Sequence, residues 1–223
     1  MKKITIFTVI FICSGVMLSA QINLLSGIGF LYDHNFNNGA ARLIAGSGQL
    51  GMRHITNLSG GTYLFLDVTY VEINVGFAAG FLFDNGYFQQ SSGSKPAYSP
   101  KNKNISNVFQ LNFSLLGKYP INIENITLFP LIGVNYNLFL VNIDGSEINS
   151  NYSQFGFQAG AGIDLNILSD KVYFRIEALF QLRIVSNDIY NYCVENLMGG
   201  SDGASKIPGI GPVIKAAFCY KFF

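Results

Sequence analysis

Residue types able to do chemistry are thinly spread along this chain. Its 223 positions hold two histidines, His34 and His54, and three cysteines. His34 follows Asp33, and a hydrolase of the Ser-His-Asp kind uses such a carboxylate to orient the imidazole. A triad, however, is a geometry among distant residues and not a spacing. The 20-residue separation of His34 and His54 is no metal signature either. Gly46-Ser47-Gly48-Gln49-Leu50-Gly51 spells the GxGxxG of dinucleotide-binding turns. That motif works only between the strand and helix of a βαβ unit, and neither is expected here. Both histidines and this glycine run are expected in a solvated first loop. Lys95, Lys101 and Lys103, in a Ser/Pro/Asn-rich stretch, form too weak a field to define a partner. The chain therefore reads as a non-enzyme with no cofactor and no metal.

A second set of polar residues is more informative, because of where it falls. Asp67, Glu72, Asp164, Arg175, Glu177, Arg183, Lys215 and Lys221 all lie within segments that alternate apolar and polar residues. From Val108, Phe109, Leu111, Phe113 and Leu115 take one face, and Gln110, Asn112 and Ser114 the other. From Ser153, Phe155, Phe157, Ala159, Ala161, Ile163 and Leu165 alternate with Gln154, Gln158, Asp164 and glycines. From Val172, Phe174, Ile176, Ala178, Phe180, Leu182 and Ile184 oppose Arg175, Glu177, Gln181 and Arg183. Period 2 is a strand signal, and runs of about ten residues are long enough for a transmembrane barrel strand. Eight such windows occur: 22–32, 62–69, 71–83, 108–117, 126–140, 153–166, 172–184 and 212–222. All eight charges fall on the face opposite the apolar residues. Lys or Arg facing lipid at mid-bilayer costs about 2–4 kcal/mol, so an inward-facing charge network is expected. Asp164 with Arg175, and Glu177 with Lys215, fall at similar heights.

Those charges need elements to hold them, and the links between windows suggest which. The links near 70, 118–125 and 167–171 are short, whereas 33–61, 84–107, 141–152 and 185–211 are long. Short turns at one end and long loops at the other suit an up-and-down barrel with both termini on the short-turn side. The expected fold is all-β, an antiparallel eight-stranded transmembrane barrel over residues 21–223. Eight strands enclose an interior just filled by side chains, so the lumen is expected to be mostly sealed.

Composition agrees. Charged residues make up 12% of the chain, hydrophobic residues 49%, and the mean hydropathy is +0.31. An average soluble domain carries about 25% charged residues. The near-neutral balance offers no basic face to nucleic acid. Lys2 and Lys3, an apolar run from Ile4 to Leu18, and the small residues Ser19-Ala20 describe a secretory signal peptide over 1–20, cut near Ala20. Of the cysteines that remain, Cys193 is expected in a loop and Cys219 at the far end of a strand, too far apart to bridge.

The last window puts Ile214, Ala216, Phe218, Tyr220 and Phe222 on the apolar face and is followed by Phe223. Phe218, Tyr220, Phe222 and Phe223 resemble the terminal aromatic signal that bacterial outer-membrane barrels present to their assembly machinery. The whole chain resembles small eight-stranded outer-membrane proteins of the OmpX, OmpA-barrel and OmpW kind. LGKYPINIENITLFPLIGVNY from Leu116 and LFLDVTYVEINVGF from Leu64 are similar to small spirochaetal members. The resemblance implies the outer membrane of a diderm bacterium. Its partners would be outer-membrane lipids, the barrel-assembly machinery and periplasmic chaperones, with an unidentified ligand at the cell surface. The implied role is structural or interactive; an OmpW-like conduit for small hydrophobic solutes is the alternative.

Overall fold

The computed structural model describes residues 24–44, 49–89, 97–141, 151–169, 171–195 and 203–222. The signal segment, Gly46–Gly48, Lys95 and Phe223 lie outside them. The elements are β1 (Leu24–Ile44), β2 (Gln49–Val68), β3 (Val71–Gln89), β4 (Ala97–Lys118), β5 (Ile121–Ile123), β6 (Ile126–Leu140), β7 (Tyr152–Ser169), β8 (Val172–Arg183), α1 (Asn187–Glu195), β9 (Ser205–Ile207) and β10 (Gly209–Lys221).

Eight of the strands pair antiparallel in the order β1-β2-β3-β4-β6-β7-β8-β10. β10 then pairs back on β1, from Leu25 opposite Lys221 to Phe36 opposite Ile210. The sheet closes on itself, which removes the free edges an open sheet would expose. Each expected window falls on one barrel strand, Ile22 and Asn23 of the first lying outside the described residues. Among the described residues, no helix is long and apolar enough to cross a membrane.

The side chains alternate as the period-2 pattern requires. Ile28, Phe30, Leu64, Phe77, Phe109, Ile132, Phe157, Ile176, Phe180 and Phe218 are exposed on the outside, while Arg175, Glu177, Asp67, Glu72 and Arg183 are buried inside. The core is therefore the barrel interior. One apolar cluster (Leu31, Tyr63, Phe65, Leu116, Phe129, Leu131, Tyr173 and neighbours) occupies the end near the short turns. A second one (Ala40, Ile55, Leu82, Val108, Phe139, Tyr152 and neighbours) occupies the long-loop end, where α1 adds Ile189 and Cys193.

Several segments expected as loops are ordered instead. The 33–61 region is two long strands, since β1 runs to Ile44 and β2 starts at Gln49, paired throughout apart from an irregularity between Asn35 and Asn38. His34 and His54 consequently lie on strands, and so do Gln49, Leu50 and Gly51 of the GxGxxG run. The 84–107 region likewise continues β3 to Gln89 and starts β4 at Ala97. Once a hairpin ladder is established, extending it satisfies backbone N–H and C=O groups whatever the side chains. Asn- and Gly-rich sequence beyond the apolar belt conceals that continuation.

The 185–211 link contains α1 and β9, and Cys193 is helical, not in a loop. Ser186 caps the helix, its Oγ accepting the Ile189 amide at 3.2 Å, as N-cap serines do. Ile189, Tyr192 and Cys193 are its buried residues, an i, i+3, i+4 stripe. Both Cys193 and Cys219 are free and buried. At the short-turn end, the 118–125 link carries β5, which keeps the register of β4: Lys118 faces Leu131 and Ile121 faces Leu128. The break at Tyr119-Pro120 is local, because Pro120 lacks an N–H for the ladder. A two-residue turn at Glu124-Asn125 closes the hairpin, with Glu124 in the left-handed region (φ 50°).

Candidate functional site in the barrel interior

The interior is polar in tiers, and the deepest is organised by Arg175 on β8. Its guanidinium grips Asp164 on β7 with two hydrogen bonds, Nε to Oδ1 at 2.7 Å and Nη2 to Oδ2 at 2.8 Å. The two residues are cross-strand partners. Nη1 also donates to Glu72 at 2.6 Å and Nη2 to Asp67 at 2.8 Å. Glu177 lies 3.8 Å away. One fork of five N–H donors thus makes four hydrogen bonds to carboxylates from three strands, one more than the three donors of a lysine could make. The Phe65 and Phe129 ring centroids lie 4.6 and 4.8 Å from the guanidinium carbon, close enough for cation–π attraction.

Room for those two rings comes from glycine. A methyl on Gly162 would overlap the Phe129 ring, and one on Gly27 would overlap Phe65. Around this hub, Lys215 Nζ lies 3.1 Å from Glu177 and 3.9 Å from Glu72. Asn74 donates to Glu72 at 2.8 Å. Lys118 pairs with Asp67 and stands 4.7 Å from the Phe129 centroid.

A second tier lies nearer the long-loop end. Arg183 pairs with Asp33, not with the lower cluster. Gln110 donates to Asp33 at 2.7 Å and to Asn137 at 2.9 Å, while its Oε1 accepts Ser59 at 2.9 Å and Asn57 at 3.2 Å. Gln181 also donates to Asp33. Above it, where the strands extend past the apolar belt, Arg53 Nε donates to Asp84 at 2.9 Å. The Tyr192 hydroxyl of α1 donates to the same carboxylate at 3.2 Å. Burial lowers the pKa of His54, opposed by the Asp84 charge. Burial also pushes the Cys193 thiol up to about 12.

The eight charges singled out in the sequence therefore do not form one network. Asp67, Glu72, Asp164, Arg175, Glu177 and Lys215 come together, Arg183 belongs to the tier above, and Lys221 is half-buried at the rim. Lys118 and Asp33 are additional members. Each sits one residue beyond an expected window, on the inward phase of its strand, so continuing the alternation by one step finds both. The same step from the 71–83 window finds Asp84, but its partner Arg53 carried no such signal, since 33–61 read as a loop.

Asp33 and His34 occupy opposite faces of β1. Asp33 points to Arg183, whereas His34 lies against Tyr32, with 3.4 Å from Nδ1 to the hydroxyl, and against Phe36, with ring centroids 4.3 Å apart. No hydrolase constellation is assembled from this pair. Phe218, Tyr220 and Phe222 line up on the outer face of β10 and its end, with Phe174 packed 5.3 Å from Phe218 and Tyr220 5.2 Å from Phe222, centroid to centroid.

No family model matches this chain, and no curated protein matches it. Among solved structures, it is similar to Neisserial surface protein A, at 9% identity over 89% of this chain and 97% of that one, with a TM-score of 0.44. It is also similar to Ail, the attachment invasion locus protein of Yersinia pestis, at 12% identity over 91% and 100% of the two chains, with a TM-score of 0.40. The eight-stranded architecture rests on the strand pairing itself.

Proposed function

We propose that this chain is an integral outer-membrane barrel of a diderm bacterium, exported with residues 1–20 as its signal peptide. The observation that carries this reading is the inverted distribution of side chains. Large apolar residues such as Phe30 (74% exposed), Ile132 (70%) and Phe218 (64%) cover the outside, while Arg175 and Glu177 are fully buried. Water would penalise such a surface, and a hydrocarbon solvent rewards it. Closure of the sheet adds support, because a spanning sheet must satisfy every backbone group internally. The C-terminal aromatics Phe218, Tyr220, Phe222 and Phe223 serve as the element read by the assembly machinery, with periplasmic chaperones acting before insertion.

Within that reading the lumen is mostly sealed, and the role is structural or interactive, without catalysis. The crowding around Arg175 and the seating of α1 over the long-loop end support a seal. The strand extensions beyond the belt, β1–β2 and β3–β4, are the parts presented at the cell surface. The test is conductance of the purified protein in planar bilayers, after confirming that it fractionates with outer membranes. Only small, infrequent current is expected. Sustained porin-like conductance would exclude the seal, and recovery in the soluble fraction would exclude the membrane.

A further inference from the structure

The exposed apolar face is taller on one wall than the belt requires. On β6 it continues from Ile126 through Leu128, Pro130, Ile132, Val134, Tyr136 and Leu138 to Leu140. At about 3.3 Å per residue and a tilt of about 40°, the strand spans about 35 Å of membrane normal. The apolar band of a transmembrane barrel is about 25 Å tall. The excess lies at the short-turn end, in the β5–β6 hairpin. There Ile121 (47% exposed) faces Leu128 (40%), and Ile123 (52%) faces Ile126 (38%). All four continue the outward face of β4 and β6. The opposite face of the same hairpin carries Asn122 and Thr127, hydrogen-bonded at 2.8 Å. Tyr119, stacked on Tyr70 with centroids 6.4 Å apart, would mark the headgroup level. The hairpin tip projects about 10 Å beyond it by the same strand geometry.

We propose that this hairpin is a lipid-contact lip. The short-turn leaflet reaches down the β4–β6 wall, its acyl chains cover Ile121, Ile123, Ile126 and Leu128, and its headgroups meet Glu124 and Asn125. The occupant is lipid because the patch is continuous with the belt in register and in face, and the outward phase from Ile126 to Val134 is wholly apolar, the first hydroxyl being that of Tyr136. Higher on the same wall, beyond Pro130 and Ile132, Ile73, Phe113, Leu115, Val134, Tyr136 and Phe155 line a furrow that an acyl chain can follow. Hydrophobic surface longer than the bilayer is accommodated by local thickening or tilt at modest cost. This inference rests on the membrane reading above and goes beyond it.

The chain contains no tryptophan, so single-tryptophan variants report without background. Ile123→Trp, with Phe113→Trp as a mid-belt reference and Lys206→Trp as an aqueous one, is reconstituted into phosphatidylcholine vesicles with plain or brominated acyl chains. Ile123→Trp is expected to emit to the blue of Lys206→Trp and to lose intensity in brominated vesicles, as Phe113→Trp does. If Phe113→Trp is quenched while Ile123→Trp is neither quenched nor blue-shifted, the lip is in water and the inference is overturned, the membrane reading standing. Blue emission without quenching would overturn it in favour of cover by a second copy of the chain. If neither variant is quenched, the membrane reading fails and takes the inference with it. Should Ile123→Trp fail to fold, Ile121→Trp on the same face gives the same readout.

Discussion

Arg175 is the residue on which most interior charge converges, and its environment states what it contributes. Three carboxylates from β2, β3 and β7 accept its hydrogen bonds, and two rings cover its faces. Removing one partner of a buried ion pair leaves the others charged and unpaired, which costs about 3–5 kcal/mol. Arg175→Met is therefore expected to lower the unfolding free energy by about that amount, read as a fall in urea midpoint in detergent or lipid. Arg175→Lys should fall between it and the parent, because the charge survives while the two-pronged grip on Asp164 is lost. An unchanged midpoint in Arg175→Met would show that Asp67, Glu72 and Asp164 are satisfied without it. The inward direction of Arg175 was legible from alternation alone. Its partners across the barrel were not, since Asp67 and Glu72 lie more than 100 positions away in sequence.

At the scale of elements, α1 packs on the long-loop end of the barrel. Ile189 and Cys193 enter the apolar cluster there, and Tyr192 ties the helix to Asp84. The Cys193 thiol is raised to about 12, first by burial and then by the Asp84 charge. It carries almost no thiolate at neutral pH, and the thiolate is the reactive species. A maleimide is thus expected to leave Cys193 unlabelled in the folded protein, as judged by mass spectrometry of its peptide. Ile189→Glu puts a charge into the cluster, should loosen the helix, and should make Cys193 reactive while the barrel persists. Rapid labelling of the parent protein would show that the helix does not rest on the barrel. The Ser186 cap and the Ile189, Tyr192, Cys193 spacing were present in the sequence as a helix signal. They were hidden by a reading tuned to period 2.

For the whole molecule, the decisive property is which solvent each face meets. Ile176 on β8 is 39% exposed on the outer face, between the inward Arg175 and Glu177. Ile176→Arg places a cation toward lipid and is expected to cost about 2–4 kcal/mol in a bilayer. The check is the urea midpoint of refolded protein in lipid vesicles. A soluble barrel would show the opposite sign, since an added surface arginine improves its contact with water. Parent-like stability of Ile176→Arg in vesicles would reverse the assignment of the faces.

Sequence alone determined where the apolar belt of each barrel strand lies and which way its side chains point within the windows. It could do so because the two faces of each barrel strand, apolar outside and polar inside, differ so sharply that the period-2 contrast is extreme. The tertiary structure alone decided which charges meet. Alternation says that Arg183 points inward, but only the register between strands puts it beside Asp33 and leaves Arg175 with Asp67, Glu72 and Asp164. It also decided how far β1 to β4 continue beyond the belt. There both faces meet polar surroundings, the hydrophobic contrast disappears, and backbone pairing, which leaves no mark on composition, carries the strands onward.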